Sequence, residues 1–338
     1  MAKKSTRATR RKKRSKKGPD LTLQLIKIFG SLVLLVVLVL GAGVAAKWLI
    51  GSPADHSSAA IRPESRHPVP PAASPGVQKP AYEVFSKGRP PVKPVTRLPQ
   101  LPGDRPPLVA IIIDDVGYDQ HIAEQFMSME IPLTFSMLPH SPFSRSIVEQ
   151  ARSKGLEIML HLPMEPNEYP TVKPGPGALL SEMAPDDFIA QLKDDIDQIQ
   201  GIKGVNNHMG SKISSSPERM RQIFSILKKQ NLFYIDSRTT AETVARPSAR
   251  LLQLPFAERD IFIDHFDDPA FIRSQLERLI QRALRQGYAV GIAHPHPNTF
   301  RIINAFLPRL RESVTLVPAS MVVRQAMLAE ASQTNASR

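Results

Sequence analysis

The sequence predicts an α/β domain built on a barrel of parallel strands, and three observations predict it. Short apolar, β-branched runs recur from Leu108 onward, each ending in a polar or turn residue, as buried parallel strands do. Amphipathic stretches of helical period alternate with those runs, and seven or eight βα units require a parallel sheet. Right-handed crossovers allow a barrel or an open doubly wound sheet. No G-x-G-x-x-G follows the first run, so the main reason to choose a dinucleotide-binding sheet is missing and the barrel is preferred.

Taken in order, strands are expected at 108–114, 132–138, 156–161, 203–207, 232–236, 260–264, 288–294 and 314–317. Helices are expected from about Ser141 to Ser153, from Pro185 to Ile199, from Pro217 to Gln230 and from Pro269 to Gln286. In the second of these Phe188, Ile189, Leu192, Ile196 and Ile199 share one face. In the third Pro217 occupies a first helical position, and Met220, Ile223, Phe224 and Leu227 point inward.

The segments ahead of this domain differ in composition. Ten Lys or Arg lie between Lys3 and Lys17, so most of the net charge of +13 belongs to a short basic block spanning 1–27. No aromatic residues interleave with those charges, which argues against nucleic acid as the partner. The uncharged run from Ile28 to Ala46 has 19 residues, and at helical rise it covers roughly 28 Å, one hydrocarbon core. Residues 28–50 therefore read as a single transmembrane helix in the inner (cytoplasmic) membrane. The basic block keeps the N-terminus in the cytoplasm and sends the remainder across. The alternative is secretion after cleavage near Ala45, where Gly43-Val44-Ala45 offers small residues.

Residues 51–107 hold fourteen of the 32 prolines and no apolar period, so they read as an extended extracytoplasmic linker. The domain is expected over 108–325, with a polar tail at 326–338. There are no cysteines, which removes disulfides and thiol nucleophiles and limits a zinc site to His and carboxylate ligands.

Polar groups sit where the apolar runs end, and in a parallel barrel those ends open onto one mouth. Asp114-Asp115 ends the first run, and two adjacent carboxylates repel unless a cation accompanies them. One can hold a metal while the other acts as a base; the plain alternative is a helix N-cap pair. His161 lies in His161-Leu162-Pro163-Met164-Glu165-Pro166, read as a rigid loop, and Glu165 could address the same ion. Asn206-Asn207-His208-Met209-Gly210-Ser211 reads as a third such loop, with His208 as a ligand and Asn207 orienting ligands or substrate.

Asp236 and Asp264 each have an arginine nearby, Arg238 and Arg259. Either carboxylate can brace the mouth through an ion pair or orient a catalytic histidine. His294 is a candidate acid or ligand, with His296 beside it. His121, His140 and His265 read as solvated.

These blocks resemble those of polysaccharide deacetylases, and more closely the divergent polysaccharide deacetylase family. The resemblance rests on Ile112-Ile113-Asp114-Asp115-Val116-Gly117, His161 to Pro166, Asn206 to Ser211 and Gly291-Ile292-Ala293-His294, in order over about 108–325. It implies a distorted (β/α)7 barrel and a metal-dependent carbohydrate deacetylase acting on an envelope polysaccharide or other N-acetylated glycan. It further implies a divalent metal, zinc, with Asp114 as base, Asp115 and His161 as ligands and His294 as acid. The family's usual second histidine, four residues after the first, is replaced by Glu165, so the remaining ligand is either Glu165 or His208. The arginine-proline motif of the larger family is absent where Asn206 to Ser211 stands. These departures motivate a rival expectation, a non-catalytic envelope protein that binds a glycan or a partner.

Overall fold

In the computed structural model residues 106–336 are described; the basic segment, the apolar run 28–50 and nearly all of the linker lie outside them. Nine residues from Leu108 to Val116 form β1, and strands and helices alternate after it except at one helix pair and one strand pair. They are α1 (Gln120–Met127), β2 (Thr134–Met137), α2 (Ser144–Ser153), β3 (Glu157–Met164), α3 (Pro185–Gln198) and β4 (Gly204–Met209). A single turn, α4 (Ser211–Ser214), precedes α5 (Pro217–Lys229), β5 (Phe233–Asp236), α6 (Ala245–Leu252), β6 (Phe256–Glu258) and β7 (Ile261–Phe262). The chain ends with α7 (Pro269–Gln286), β8 (Tyr288–Ala293), α8 (Pro297–Ser313), β9 (Thr315–Leu316) and α9 (Ala319–Ala336). Helix starts are chemically marked. Ser216 and Asp268 cap α5 and α7 by accepting from the backbone N–H of Arg219 and Phe271, with proline at the next position.

Every strand pairing is parallel, in the order β6-β5-β4-β3-β2-β1-β8-β7. One edge of β1 is taken by β8 along Leu108 to Ile113. The other is shared by β9 at Leu108–Val109 and β2 from Ile112. The two outermost strands, β6 and β7, are joined by Arg259 and Asp260 alone, so the sheet must curl until its edges lie within roughly 10 Å of each other. β6 and β7 behave as one interrupted strand that leaves β5 and joins β8. Counted so, the barrel has seven stations, with its hydrogen-bond ladder open at one seam. The expected strand at 260–264 is thus a two-residue remnant, and β6 is an element that sequence reasoning missed.

Side chains alternate between two cores, as period-2 geometry requires. Val109, Ile111 and Ile113 of β1 join the outer core beneath the helices, with Leu160, Leu162, Val205 and Tyr234. Ala110, Ile112, Met159, Phe233, Ile235, Val290 and Ile292 face the barrel interior, where Val322, Val323 and Ala326 of α9 pack against them. Gly204 belongs to that inward set. A Cβ there would stand 2.3 Å from the Phe233 ring, so the missing side chain is what lets Phe233 enter.

Two further expectations are corrected. The blocks at His161 and at Asn206 are strand, not loop: β3 runs on through Pro163 to Met164, paired with β4 from Met159 to Met209. Pro163 is tolerated because its carbonyl accepts from the Leu179 N–H on the side where β2 has ended, so no ladder N–H is missed. The expected polar tail at 326–338 begins inside α9, which runs to Ala336 and buries Ala326. Among the described residues no helix is long and apolar enough to cross a membrane.

Candidate active site and metal centre

The inward parity that fills the lower barrel with Ala110 and Ile112 brings Asp114 to the mouth; the same parity delivers His161, Asn206, His208, Ser237 and His294. Asp115, next in line, should face outward. Instead the β1–β2 register slips between Ile113 and Val116, and Asp115 takes a left-handed backbone with φ 54°. This bulge turns the second carboxylate to the same mouth. A left-handed Asp costs on the order of 1–3 kcal/mol, strain of the kind that clusters at functional sites.

Asp115 Oδ1 lies 3.1 Å from His161 Nε2 and 2.8 Å from His208 Nδ1, and those two nitrogens are 3.3 Å apart. Donor atoms around a tetrahedral zinc at about 2.0–2.1 Å stand roughly 3.3 Å from one another, so the trio is spaced as a ligand set. All three residues are buried. In spite of these approaches, neither oxygen of Asp115 has a hydrogen-bond partner. Orphaned buried carboxylate oxygens are costly unless a cation satisfies them, and this donor chemistry suits a divalent ion. Burial would raise the Asp115 pKa, but His208 and His161 hold it well below the usual carboxylate range.

Asp114 stands beside the trio without joining it, its Oδ2 3.7 Å from His161 Nε2. The Asn206 amide nitrogen donates to both its oxygens, at 2.8 and 3.0 Å. Burial raises its pKa, and the nearby His161, His294 and Asn206 offset only part of that. His294 is locked from behind. Asp264 contacts its Nδ1 at 2.9 Å and accepts from its backbone N–H at 2.7 Å and from the Thr299 hydroxyl at 2.8 Å. His294 Nε2 faces the site, 4.0 Å from Asp115 Oδ2. Burial lowers the His294 pKa, but the charge and hydrogen bond of Asp264, with Asp115 and Asp114 beyond, lift it to about 9.

The structure therefore brings Asp114, Asp115, His161, His208, Asp264 and His294 together, and it separates others. Glu165 is corrected as a ligand: it lies outside the trio, its carboxylate taken by Lys212 Nζ at 2.6 Å and by the backbone N–H of Ser181. Asp236 is corrected as an orienter of histidine. Its parity is that of Tyr234, so it faces away from the interior and accepts from Arg238 N–H and the Thr243 hydroxyl, each at 2.8 Å. Asn207 shares the outward parity of Val205, and its amide is spent on the Tyr234 hydroxyl, Ser237 N–H and the Met209 carbonyl. It borders the cleft, with its amide committed to these protein groups.

Arg259 occupies the seam between β6 and β7 and forms no ion pair with Asp260, which pairs with Arg282 at 2.8 Å. Its guanidinium donates to the carbonyls of Ser237 and Arg238 and lies 4.9 Å over the Phe262 ring at the edge of the cleft. Burial lowers its pKa to about 10. His296 stacks on His294 with ring centroids 6.0 Å apart. His140 and His265 are not simply solvated. His140 Nε2 lies 3.1 Å from Asp195 and 3.4 Å from Asp194, and His265 packs against Phe262 and Phe266. His121 is exposed, next to Gln125. Sequence reasoning missed Ser237 as a site residue and favoured Asn207 over Asn206; the available signal was the spacing of two that links Asn206 to His208 and Ser237 to Ile235.

Residues 111–323 match the family model described as divergent polysaccharide deacetylase. The chain belongs to that family. It is 34% identical over 218 residues to the uncharacterised protein YibQ of Escherichia coli, covering 64% of this chain and 67% of that one. A relative in Haemophilus influenzae is also 34% identical, over 215 residues, covering 62% of this chain and 74% of the other. Among solved structures, an uncharacterised protein of Agrobacterium tumefaciens superposes with a TM-score of 0.62 at 24% identity, over 65% of this chain and 91% of that one, which shows a shared fold.

Proposed function

We propose that this family member is a metal-dependent hydrolase that removes acetyl groups from an N-acetylated glycan of the cell envelope. The observation that carries the reading is the division of labour at the mouth. Asp115, His161 and His208 converge as a ligand set, while Asp114 and His294 face the same space with other restraints. A divalent ion bound there supplies Lewis acidity, polarising a carbonyl and acidifying a water. Asp114, held by Asn206 with its carboxylate toward the centre, takes the proton from the attacking water. His294, whose Nδ1 is committed to Asp264, presents Nε2 to the leaving nitrogen and returns a proton there. The amide C–N bond breaks, giving acetate and a free amine, and each proton transfer contributes about 10²–10⁴-fold.

The location of the reaction is part of the proposal. The basic block and the apolar run 28–50 motivate an uncleaved single span with the domain outside the cytoplasm. A reporter active only in the cytoplasm, fused after Ser320, should be silent, and a signal from it overturns this topology.

Metal content and turnover on N- and O-acetylated oligosaccharides test the chemistry. The purified protein should carry one divalent ion, and Asp114→Asn should keep it while losing turnover. A chain that takes up no ion under any reconstitution is a glycan- or partner-binding protein instead.

A further inference from the structure

We infer that Asn206 is a positioning residue that sets two groups at once: it holds the Nδ1–H side of the His161 ring and aims the carboxylate of Asp114. Asn206 is fully buried, in the middle of β4 and directly opposite His161 in the β3–β4 register. Its Oδ1 accepts from the Ser136 hydroxyl and faces His161 Nδ1 at 2.9 Å. Its Nδ2 donates to both oxygens of Asp114 and to the Ser237 hydroxyl. The amide cannot be turned round. With Nδ2 facing His161 it would leave an acceptor oxygen against the two oxygens of Asp114.

A carbonyl oxygen only accepts, so His161 Nδ1 must carry a proton wherever this contact exists. A neutral imidazole has one N–H, and the proton on Nδ1 leaves a lone pair on Nε2, the atom that stands 3.1 Å from Asp115 and 3.3 Å from His208. Asp115 beside Nε2 favours a proton there until a cation replaces it, so the contact of Nδ1–H with Asn206 is what keeps the ring turned for that exchange. The other end of the same amide holds Asp114 through an N–H shared between its two carboxylate oxygens, a charge-assisted contact. Ligand and base are thereby tied through one rigid group, and neither can turn without the other losing its partner.

The consequences for metal and turnover rest on the hydrolase reading; the Nδ1–H contact does not. The first measurement is imidazole N–H NMR of the histidine-labelled full chain, metal-free. The His161 signal is assigned by its loss in His161→Gln. His161 should show an Nδ1–H shielded from exchange with water, and Asn206→Leu should remove that shielding. A His161 Nδ1 that carries no such proton in the unmutated protein overturns the inference, whether or not the protein ever binds metal.

The second measurement is zinc affinity, with melting curves as a check on folding. Asn206→Leu should weaken zinc about 10–100-fold, the usual effect of losing a group behind a ligand. Asn206→Asp keeps an acceptor for His161 and loses the donor to Asp114. Its zinc affinity should stay close to the unmutated value while turnover collapses. Equal weakening by both variants would mean that Asn206 only packs, and would overturn the inference.

Discussion

The two ends of the barrel interior are built from the same strands with opposite chemistry. At the lower end Ala110, Ile112, Met159, Phe233, Val290 and Ile292 pack on Val322 and Val323 of α9 and exclude water. Two residues further along the same inward rows stand Asp114, His161 and His294. The lower end gains stability from buried apolar area, about 25 cal/mol per Å². The upper end spends stability on buried charge, a left-handed Asp115 and carboxylate oxygens that no hydrogen bond satisfies. The difference teaches that strand parity alone places both regions, and that what changes at the rim is residue type.

The sharpest way to break this comparison is to mutate the rim and look for effects on stability. His294→Ala should lower turnover by about 10²–10⁴-fold. The fold should survive, since Asp264 keeps the residue-294 N–H and the Thr299 hydroxyl as donors. A large loss of melting temperature with little loss of turnover would contradict the assignment. Next in size is metal retention. His208→Ala should empty the centre, whereas Glu165→Ala should leave metal content unchanged and only loosen the contact with Lys212 and Ser181. Metal analysis of the two variants decides, and loss of metal in Glu165→Ala would restore it to the ligand set.

The lower end should respond in the opposite sense. Phe233→Ala removes a buried ring of the interior core and should cost about 3–5 kcal/mol. That is a melting shift of roughly 2–4 °C per kcal/mol in a domain of this size. Turnover per folded molecule should be unchanged.

The smallest effect belongs to neither end. Burial on α3 pushes Asp195 up to about 8. A folded-state pKa above the ordinary 3.8 means that the fold favours the proton, so stability declines as pH rises from about 4 towards 8. The Gln191 amide, donating to Asp195 at 3.0 Å, offsets part of that cost. Asp195→Asn should flatten the decline, measured as melting temperature across that window; a wild-type stability that rises over it would refute the assignment.

Much of the site was legible in the sequence because strand-end groups announce themselves. Asp114, Asp115, His161, His208 and His294 each follow or end an apolar run, and the parallel fold carries such positions to one mouth. The choice between Asp236 and Asp264 was not legible. Both end short apolar runs, but Asp236 inherits the outward parity of Tyr234, while Asp264 follows an interrupted strand whose register no pattern displays. Asn206 and Asn207 likewise look equivalent in sequence, yet one holds the site together and the other serves the Tyr234 hydroxyl.

By itself, then, the sequence determined the alternation of strands and helices, the parallel class and which residue types reach the strand ends, because these follow from local period and composition. Tertiary structure alone decided three things: the seam at Arg259–Asp260, the bulge that turns Asp115 inward, and the removal of Glu165 to Lys212. Each depends on which strand lies alongside and in what register. Those relations are set by packing between residues far apart in the chain, and no local pattern encodes them.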